Sequence, residues 1–170
     1  TLAPALVLTG ERNSGKTFFA AIAANIYSHG WTNMDDLTSD FNDCVKNCPI
    51  VVADEKPGKE YQRNGSAFVR TELSVNVRSY NEKYKPKGQL LGAIRMIFLS
   101  NNVDVLKTNE ELNEADLAAF LERFAHIEMP AACAEYLKEL GGRDYLHKAW
   151  LEEGKGPEHF LWLAENHTIR

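Results

Sequence analysis

The sequence lacks several features that would place it in a specialised class. No apolar run approaches the roughly 20 residues of a membrane-spanning helix, so no membrane partner is expected. Cysteine is scarce. The three cysteines, Cys44, Cys48 and Cys133, lack paired spacing, which argues against a disulfide framework and predicts a reducing compartment. The five histidines are scattered, and no second ligand pair follows Cys44 and Cys48. A zinc-binding motif is therefore not indicated.

Charge is spread unevenly along the chain. The net charge is −5, yet residues 56–95 hold nine Lys or Arg against three Asp or Glu. A basic block within an acidic chain predicts either a local anionic partner, such as a nucleic-acid backbone, or merely a solvated basic surface. Charge alone does not decide between these two interpretations.

The length of 170 residues and the 44% hydrophobic content predict one domain with a substantial core. The chain begins at Thr1 without an initiator Met or a signal peptide, and a strand pattern starts almost at once. We therefore expect it to be a fragment of a longer protein. Within it, residues 1–130 are predicted to form the core and residues 131–170 a helical segment packed on the same domain.

The strongest motif follows the first apolar run. Residues 10–17 read GERNSGKT and lie between a predicted strand and a predicted helix, which fits the P-loop pattern. Glycines let the backbone N–H groups converge on phosphates, and the amino end of the helix adds to that field. We predict that Lys16 reaches the β- and γ-phosphates of ATP and that Thr17 ligates Mg²⁺. The candidate nucleotide-binding residues are Gly10, Asn13, Ser14, Gly15, Lys16, Thr17 and Phe18.

Two further apolar runs end in polar side chains. Asp54 and Glu55 follow a β-branched run that is typical of a buried parallel strand. We predict that Asp54 holds Mg²⁺ and that Glu55 polarises the attacking water as a general base. Asn101 and Asn102 end another such run. Because the carboxyl ends of parallel strands line the ligand crevice, one of these amides is predicted to contact the γ-phosphate or the water, although a turn role is the alternative.

Strand and helix patterns alternate and then become entirely helical. This order predicts an α/β fold, a P-loop NTPase core with a central parallel sheet, an inserted β-hairpin and a small C-terminal helical segment. The hairpin is expected from a strand at 75–78, an exposed turn at 81–88 and a return at 90–94. Helices are predicted at 15–28, around Ser39–Lys46, and at 65–73, 110–122, 132–140, 143–153 and 158–165.

Arg123 follows a predicted helix and precedes a short apolar stretch. A cation there is either an ordinary helix C-terminal charge or an arginine finger that stabilises charge at a neighbouring subunit's γ-phosphate. Sequence spacing alone leaves both open.

Five segments together resemble the superfamily 3 helicases of DNA viruses, phages and plasmids, and especially the helicase part of primase-helicase replication proteins. In order they are GERNSGKT, PIVVADE, NEKYKPKG, IFLSNN and FLERFAHIEMP, and the resemblance covers residues 5 to about 130. It implies an AAA+-type ATPase that uses ATP and Mg²⁺, assembles into a ring, expected to be a hexamer, and translocates on single-stranded DNA. It also implies a cytoplasmic location in the host cell and a primase or polymerase domain on the same chain as a candidate partner.

The resemblance assigns roles to matching positions. Asn101 is the better match to the family's polar sensor, and Arg123 matches its finger. The family's channel-facing basic hairpin corresponds to Lys83, Lys85 and Lys87, with Tyr80 and Tyr84 placed either to stack on bases or to fill the hairpin core. One departure concerns residues 71–74, which lack the Gly-Gly-Asp-like turn that often occurs in the family.

Two rival functions remain. A small-molecule P-loop kinase is expected to lack the sensor Asn and the finger and to carry an arginine-rich lid, for which Lys56–Arg63 is a poor match. A nucleotide-switched assembly or initiator ATPase that binds DNA without unwinding it shares every motif above.

Overall fold

The computed structural model describes residues 5–27, 30–54, 67–68, 71–102, 118 and 121–166. Within them, the strands are β1 (Ala5–Gly10), β2 (Thr32–Asn33), β3 (Ile50–Asp54), β4 (Val77–Tyr80), β5 (Gly88–Leu91), β6 (Arg95–Ser100) and β7 (Phe124–Met129). Five of them form one sheet in the order β2-β3-β6-β1-β7, and each neighbouring pair is parallel. The carboxyl ends of these five strands therefore lie at the same edge, while β4 and β5 pair separately.

The three central strands are covered on both faces, which explains their nearly continuous apolar sequences. On one face, Leu8, Val52 and Leu99 form a buried cluster with Ala20 and Ala24 of the first helix. On the other face, a second cluster is formed by strand residues and by side chains from the segments that cross it, including Val7, Phe98, Met34, Leu37, Val45 and Leu73. The expected α/β architecture with a parallel central sheet is confirmed.

The helices are short apart from the first and the last. They are α1 (Lys16–Tyr27), α2 (Met34–Leu37), a 3₁₀ turn (Asp43–Lys46), α3 (Ala132–Glu139), α4 (Gly142–Leu146), a π-helical turn (His147–Glu152) and α5 (Lys155–Asn166). Among the described helices, none is long and apolar enough to cross a membrane.

The C-terminal helices pack on α1. The Phe19 and Phe160 rings meet edge to face with centroids 5.2 Å apart. A Cβ added to Gly156 would lie 2.9 Å from Ile22 Cγ1, so α5 approaches α1 closely at this glycine. The helix that follows the 10–17 loop is therefore held between the sheet and the C-terminal segment.

Three predicted helices differ from the structure. The helix expected around Ser39–Lys46 is wrong, because α2 ends at Leu37 and only the last four residues form a 3₁₀ turn. Ser39 Oγ lies 2.9 Å from the Asp36 carbonyl oxygen and 2.6 Å from that of Phe41. Its single O–H donates to one or shares its hydrogen between the two, and so stabilises a turn.

The last helix begins at Lys155, upstream of the predicted start, and includes Gly156 and Pro157. Proline is tolerated in the first turn because its missing N–H would have no intrahelical partner there. The helix predicted at 143–153 is observed as α4 followed by the π-helical turn. Most of the helix predicted at 110–122 lies outside the described residues.

Candidate functional site

The loop at residues 10–17 follows β1 and has an unusual backbone. Gly10, Asn13 and Gly15 have φ angles of 143°, 68° and 94°. A Cβ at Gly10 would lie 2.3 Å from the Met129 carbonyl oxygen, and one at Gly15 would lie 2.5 Å from Leu137 Cδ1. Gly10 therefore needs glycine for space as well as for conformation, because a backbone oxygen blocks the position. Gly15 needs it for its positive φ, since the tip of the Leu137 side chain can shift. Such alternation of backbone conformation turns successive N–H groups towards one side, which is how anion-binding loops are built.

Lys16 is the chemical centre of this loop. Its side chain is buried, with 8% of the residue exposed. The Nζ atom donates to the carbonyl oxygens of Gly10 at 2.9 Å and Glu11 at 2.7 Å, lies 3.4 Å from Ser14 Oγ, and donates to Asn101 Oδ1 at 2.9 Å. These oxygens offset the cost of burying an ammonium group. Lys16 and Asn101 belong to two separate sequence motifs and lie 85 positions apart in the chain, and they are in direct contact in the structure.

A cleft of about 820 Å³ opens beside Lys16 at the carboxyl edge of the sheet. Thr17 and Asp54 both line it and are exposed. A hydroxyl and a carboxylate are oxygen ligands of the kind that Mg²⁺ prefers, and this ion commonly takes only one or two protein ligands beside water and phosphate. These two residues therefore fit the ion. Glu55, the predicted general base, lies outside the described residues.

One wall of the cleft was not predicted from the sequence. It is formed by the C-terminal helices, with Lys138 of α3 and Arg143 of α4 bringing two cations, and by Trp31 before β2. Gly141 and Gly142, with φ angles of 117° and 73°, lie at the junction of α3 and α4. In the sequence the Gly-Gly pair marks a helix end, but no local motif indicates which part of the fold the helices face.

Asn101 and Asn102 differ in what they contact, although both are exposed. Asn101 Oδ1 accepts from Lys16, whereas the Asn102 backbone N–H donates to Ser100 Oγ at 3.0 Å. Asn101 also lines the cleft. The structure thus brings the side chain of Asn101 to Lys16.

This difference gives a paired test. We expect Asn101→Ala to lower ATP turnover by about 10²-fold, a typical loss for one polar group aimed at the reacting phosphate. Asn102→Ala is expected to stay within about threefold of wild type, since alanine keeps the backbone N–H that donates to Ser100 and changes only an exposed side chain. Phosphate release at saturating ATP measures both. Equal losses in the two variants would contradict the assignment of Asn101.

Arg123 lies at the opposite end of the sheet from the loop. Its carbonyl accepts from the Ala5 N–H at 2.7 Å, at the amino end of β1. The length of β1 puts it about 17 Å from Gly10, at roughly 3.3 Å per strand residue. Its Nη1 donates to Ser74 Oγ at 3.0 Å. Arg123 therefore does not join Lys16 and Asn101 in the cleft of its own chain.

The β4–β5 hairpin carries the three predicted basic residues at its turn. Lys83, Lys85 and Lys87 are all exposed. Tyr84 is 92% exposed and has a φ of 63°, with Lys83 Nζ 5.1 Å from its ring centroid. The antiparallel pairing from Val77–Leu91 to Tyr80–Gly88 confirms the predicted hairpin.

The turn end of the hairpin is fixed to the core, at the last residue of β4 and the start of the turn. Tyr80 packs against the buried cluster, and Lys46 Nζ lies 4.8 Å from its ring centroid. Lys46 also pairs with Glu82 at 2.8 Å. Hydrogen bonds from Lys46 and Lys85 lower the pKa of Glu82, and the hydrogen bond to Glu82 raises the pKa of Lys46. Of the two tyrosines, therefore, Tyr84 lies in the exposed turn and Tyr80 at the anchored carboxyl end of β4.

Known structures share this fold at low sequence identity. The C-terminal region of NrS-1 in its A form, without ligand, matches with a TM-score of 0.61 and 19% identity over 93% of this chain and 36% of that one. A second structure of the region, residues 305–718, gives a TM-score of 0.61 and 18% identity over 90% and 35% of the two chains. The present chain thus spans about a third of the length of these two NrS-1 structures.

JCV helicase with a bound small molecule matches at a TM-score of 0.49 and 16% identity, over 98% of this chain and 46% of that one, which is too weak to support the fold. No curated protein matches the sequence. A family model does match it, over residues 8–116, which include the 10–17 loop, Asp54 and the 101–102 amides. The chain therefore belongs to the family described as "Family of unknown function (DUF5906)".

Proposed function

We propose that this chain is the ATP-hydrolysing motor of a DNA helicase that acts in viral, phage or plasmid replication. The observation that carries the proposal is the 2.9 Å contact between Lys16 Nζ and Asn101 Oδ1 at the carboxyl edge of a parallel sheet. This contact unites a glycine-rich loop, a buried cation and a polar strand end in one cleft, as hydrolysis of a nucleoside triphosphate requires.

The site residues predicted from the sequence each have a chemical task in this proposal. The N–H groups of the 10–17 loop bind the phosphates, and Lys16 exchanges its carbonyl partners for β- and γ-phosphate oxygens. Thr17 and Asp54 hold Mg²⁺, which supplies charge neutralisation on the phosphates when bound. Glu55 accepts the proton of the attacking water, and Asn101 orients that water or the γ-phosphate.

Arg123 lies too far from its own cleft to complete it. We assign it instead to the nucleotide of a neighbouring subunit, which requires a head-to-tail assembly. A heterologous interface of this kind must close into a ring if it is not to grow into a filament, and a hexamer is our proposal.

The hairpin turn is assigned to single-stranded DNA. Its lysines supply cations to the phosphate backbone, and the exposed Tyr84 ring supplies a surface on which a base can stack. Tyr80 and the Lys46–Glu82 ion pair connect the start of this turn to the core, and in this proposal they transmit movement of the core to the lysines.

The decisive experiment combines three measurements on the assembled protein: ATP hydrolysis with and without single-stranded DNA, strand displacement on a forked duplex, and mass in solution. DNA-stimulated hydrolysis with strand displacement by a ring supports the helicase. Stimulated hydrolysis without displacement would instead support the nucleotide-switched initiator ATPase. Absence of hydrolysis would contradict both.

The three hairpin lysines give a separate prediction. Replacing Lys83, Lys85 and Lys87 by glutamine is expected to weaken binding to single-stranded DNA and to flatten the plot of log affinity against log salt by about two units, since each phosphate contact contributes about 0.7. Fluorescence anisotropy of a labelled oligonucleotide across a salt series measures the slope. The control is a double variant, Lys148→Gln with Lys155→Gln, which changes two exposed lysines of the C-terminal segment. It is expected to keep the wild-type slope.

A further inference from the structure

A continuous set of contacts joins Arg123 to the β4–β5 hairpin through the helical turn at residues 71–74. Arg123 Nη1 donates to Ser74 Oγ at 3.0 Å. Glu72, two residues earlier, forms an ion pair with Arg78 on β4, and Arg78 Nη2 also donates to the Glu72 carbonyl at 3.2 Å. One short turn of helix therefore touches both the arginine and a strand of the hairpin.

The backbones on both sides of the Arg123–Ser74 contact are held by the core. Leu73 is 4% exposed and belongs to the same buried cluster against which Phe124 packs. The Phe98 and Phe124 rings meet with centroids 5.9 Å apart, and the Ala5 N–H fixes the Arg123 carbonyl. Because close-packed cores resist displacement, the side chain of Arg123 is the part of this arrangement that can move.

The Arg123 side chain is incompletely satisfied where it lies. Its Nε atom is buried and has no hydrogen-bond partner in the part of the chain that the structure describes. A buried N–H without an acceptor is unfavourable, and the Ser74 hydroxyl is only a neutral acceptor. A phosphate oxygen forms a stronger, charge-assisted hydrogen bond with a guanidinium group. The contact with Ser74 is therefore one that a nearby phosphate can replace.

We propose that Ser74 is a positioning residue that holds Arg123 while the neighbouring subunit's site lacks a γ-phosphate, and that exchange of this contact links that site to the hairpin. Engagement of Arg123 with the neighbour's nucleotide breaks its contact with the Ser74 hydroxyl. This removes the tie between Arg123 and the 71–74 turn, which also holds β4 through Glu72 and Arg78. This inference rests on the proposed function, since it needs Arg123 to reach a nucleotide in the assembled protein.

The test measures affinity for a labelled single-stranded oligonucleotide in the assembled protein, once with ADP and once with a non-hydrolysable ATP analogue. In the wild type the two affinities are expected to differ by about 5- to 150-fold, the usual range of coupling between sites. Ser74→Ala is expected to bring the ratio of the two affinities to about one, because the link between the sites is lost. Nucleotide affinity and the thermal unfolding midpoint are expected to stay near wild type, since Ser74 is exposed.

Two further variants separate the hydroxyl contact from a general effect on folding. Ser74→Thr keeps the hydroxyl and is expected to retain the wild-type ratio. Ser79→Ala removes an exposed hydroxyl from β4 itself and is also expected to retain it. A wild-type ratio in Ser74→Ala, or equal loss in Ser74→Thr, overturns the inference while leaving the helicase proposal intact. If the wild-type protein hydrolyses no ATP, the proposed function and this inference fail together.

Discussion

Replacement of Lys16 by alanine is expected to lower ATP hydrolysis by about 10³-fold, at the upper end of what removal of one preorganised charge or donor costs. The Lys16 ammonium lies among the loop carbonyls and Asn101 Oδ1, at the point where the cleft meets the carboxyl edge of the sheet. Arg12 is the other cationic residue of the 10–17 loop, and its side chain is exposed, whereas that of Lys16 is buried. Steady-state phosphate release at saturating ATP and single-stranded DNA measures the loss.

A loss of turnover must be separated from a loss of fold, because Lys16 also has structural partners. Its removal leaves the Gly10 and Glu11 carbonyls without the ammonium, which is expected to lower the free energy of unfolding by about 1–3 kcal/mol. Lys16→Arg keeps the charge, but its planar guanidinium does not reproduce a compact ammonium, so this variant is expected to be folded and inactive. Lys148→Ala, at an exposed lysine, is the matched control and is expected to hydrolyse at the wild-type rate. Unchanged turnover in both Lys16 variants would contradict the loop's assigned role.

The parts of the fold that local sequence predicted well are those with a local physical cause. Strands β3 and β6 are buried on both faces, so their apolar runs are continuous and their ends are marked by Asp54 and Asn101. The contact between Lys16 and Asn101 then follows from topology, because β1 and β6 are parallel neighbours whose carboxyl ends coincide. A motif and a strand end far apart in sequence thus locate one site.

The segments that sequence predicted poorly are held by tertiary contacts. Between residues 34 and 46 the chain covers one face of the sheet, with Met34, Leu37 and Val45 buried against it. Burial of these three side chains, and not helix propensity, decides where the backbone turns. The cleft wall with Lys138 and Arg143 has the same origin: amphipathic periodicity predicts that these helices pack, but not on which surface.

Arg123→Ala is expected to leave nucleotide affinity intact and to lower hydrolysis by about 10³- to 10⁵-fold in the assembled protein, the range for loss of an arginine finger. The physical reason is distance: the side chain lies at the amino end of β1, bound to Ser74, and does not enter its own cleft. Fluorescent nucleotide binding and phosphate release are measured on the same assembled sample. Arg95→Ala, at an exposed arginine near the amino end of β6, is the control and is expected to retain turnover. Poor nucleotide binding by Arg123→Ala would indicate a structural role instead.

Mixing two inactive variants distinguishes action on a neighbour from action within one chain. A subunit with Arg123→Ala still has Lys16, and a subunit with Lys16→Ala still has Arg123. In a head-to-tail ring, a complete site forms wherever an Arg123→Ala subunit is followed by a Lys16→Ala subunit. With random mixing of equal amounts, about one quarter of all sites are complete. Hydrolysis is therefore expected to recover to about a quarter of the wild-type rate per site if sites act independently. If Arg123 acted on the nucleotide of its own chain, or only stabilised the fold beside Ser74, every site in a mixed ring would be defective. No hydrolysis would then return.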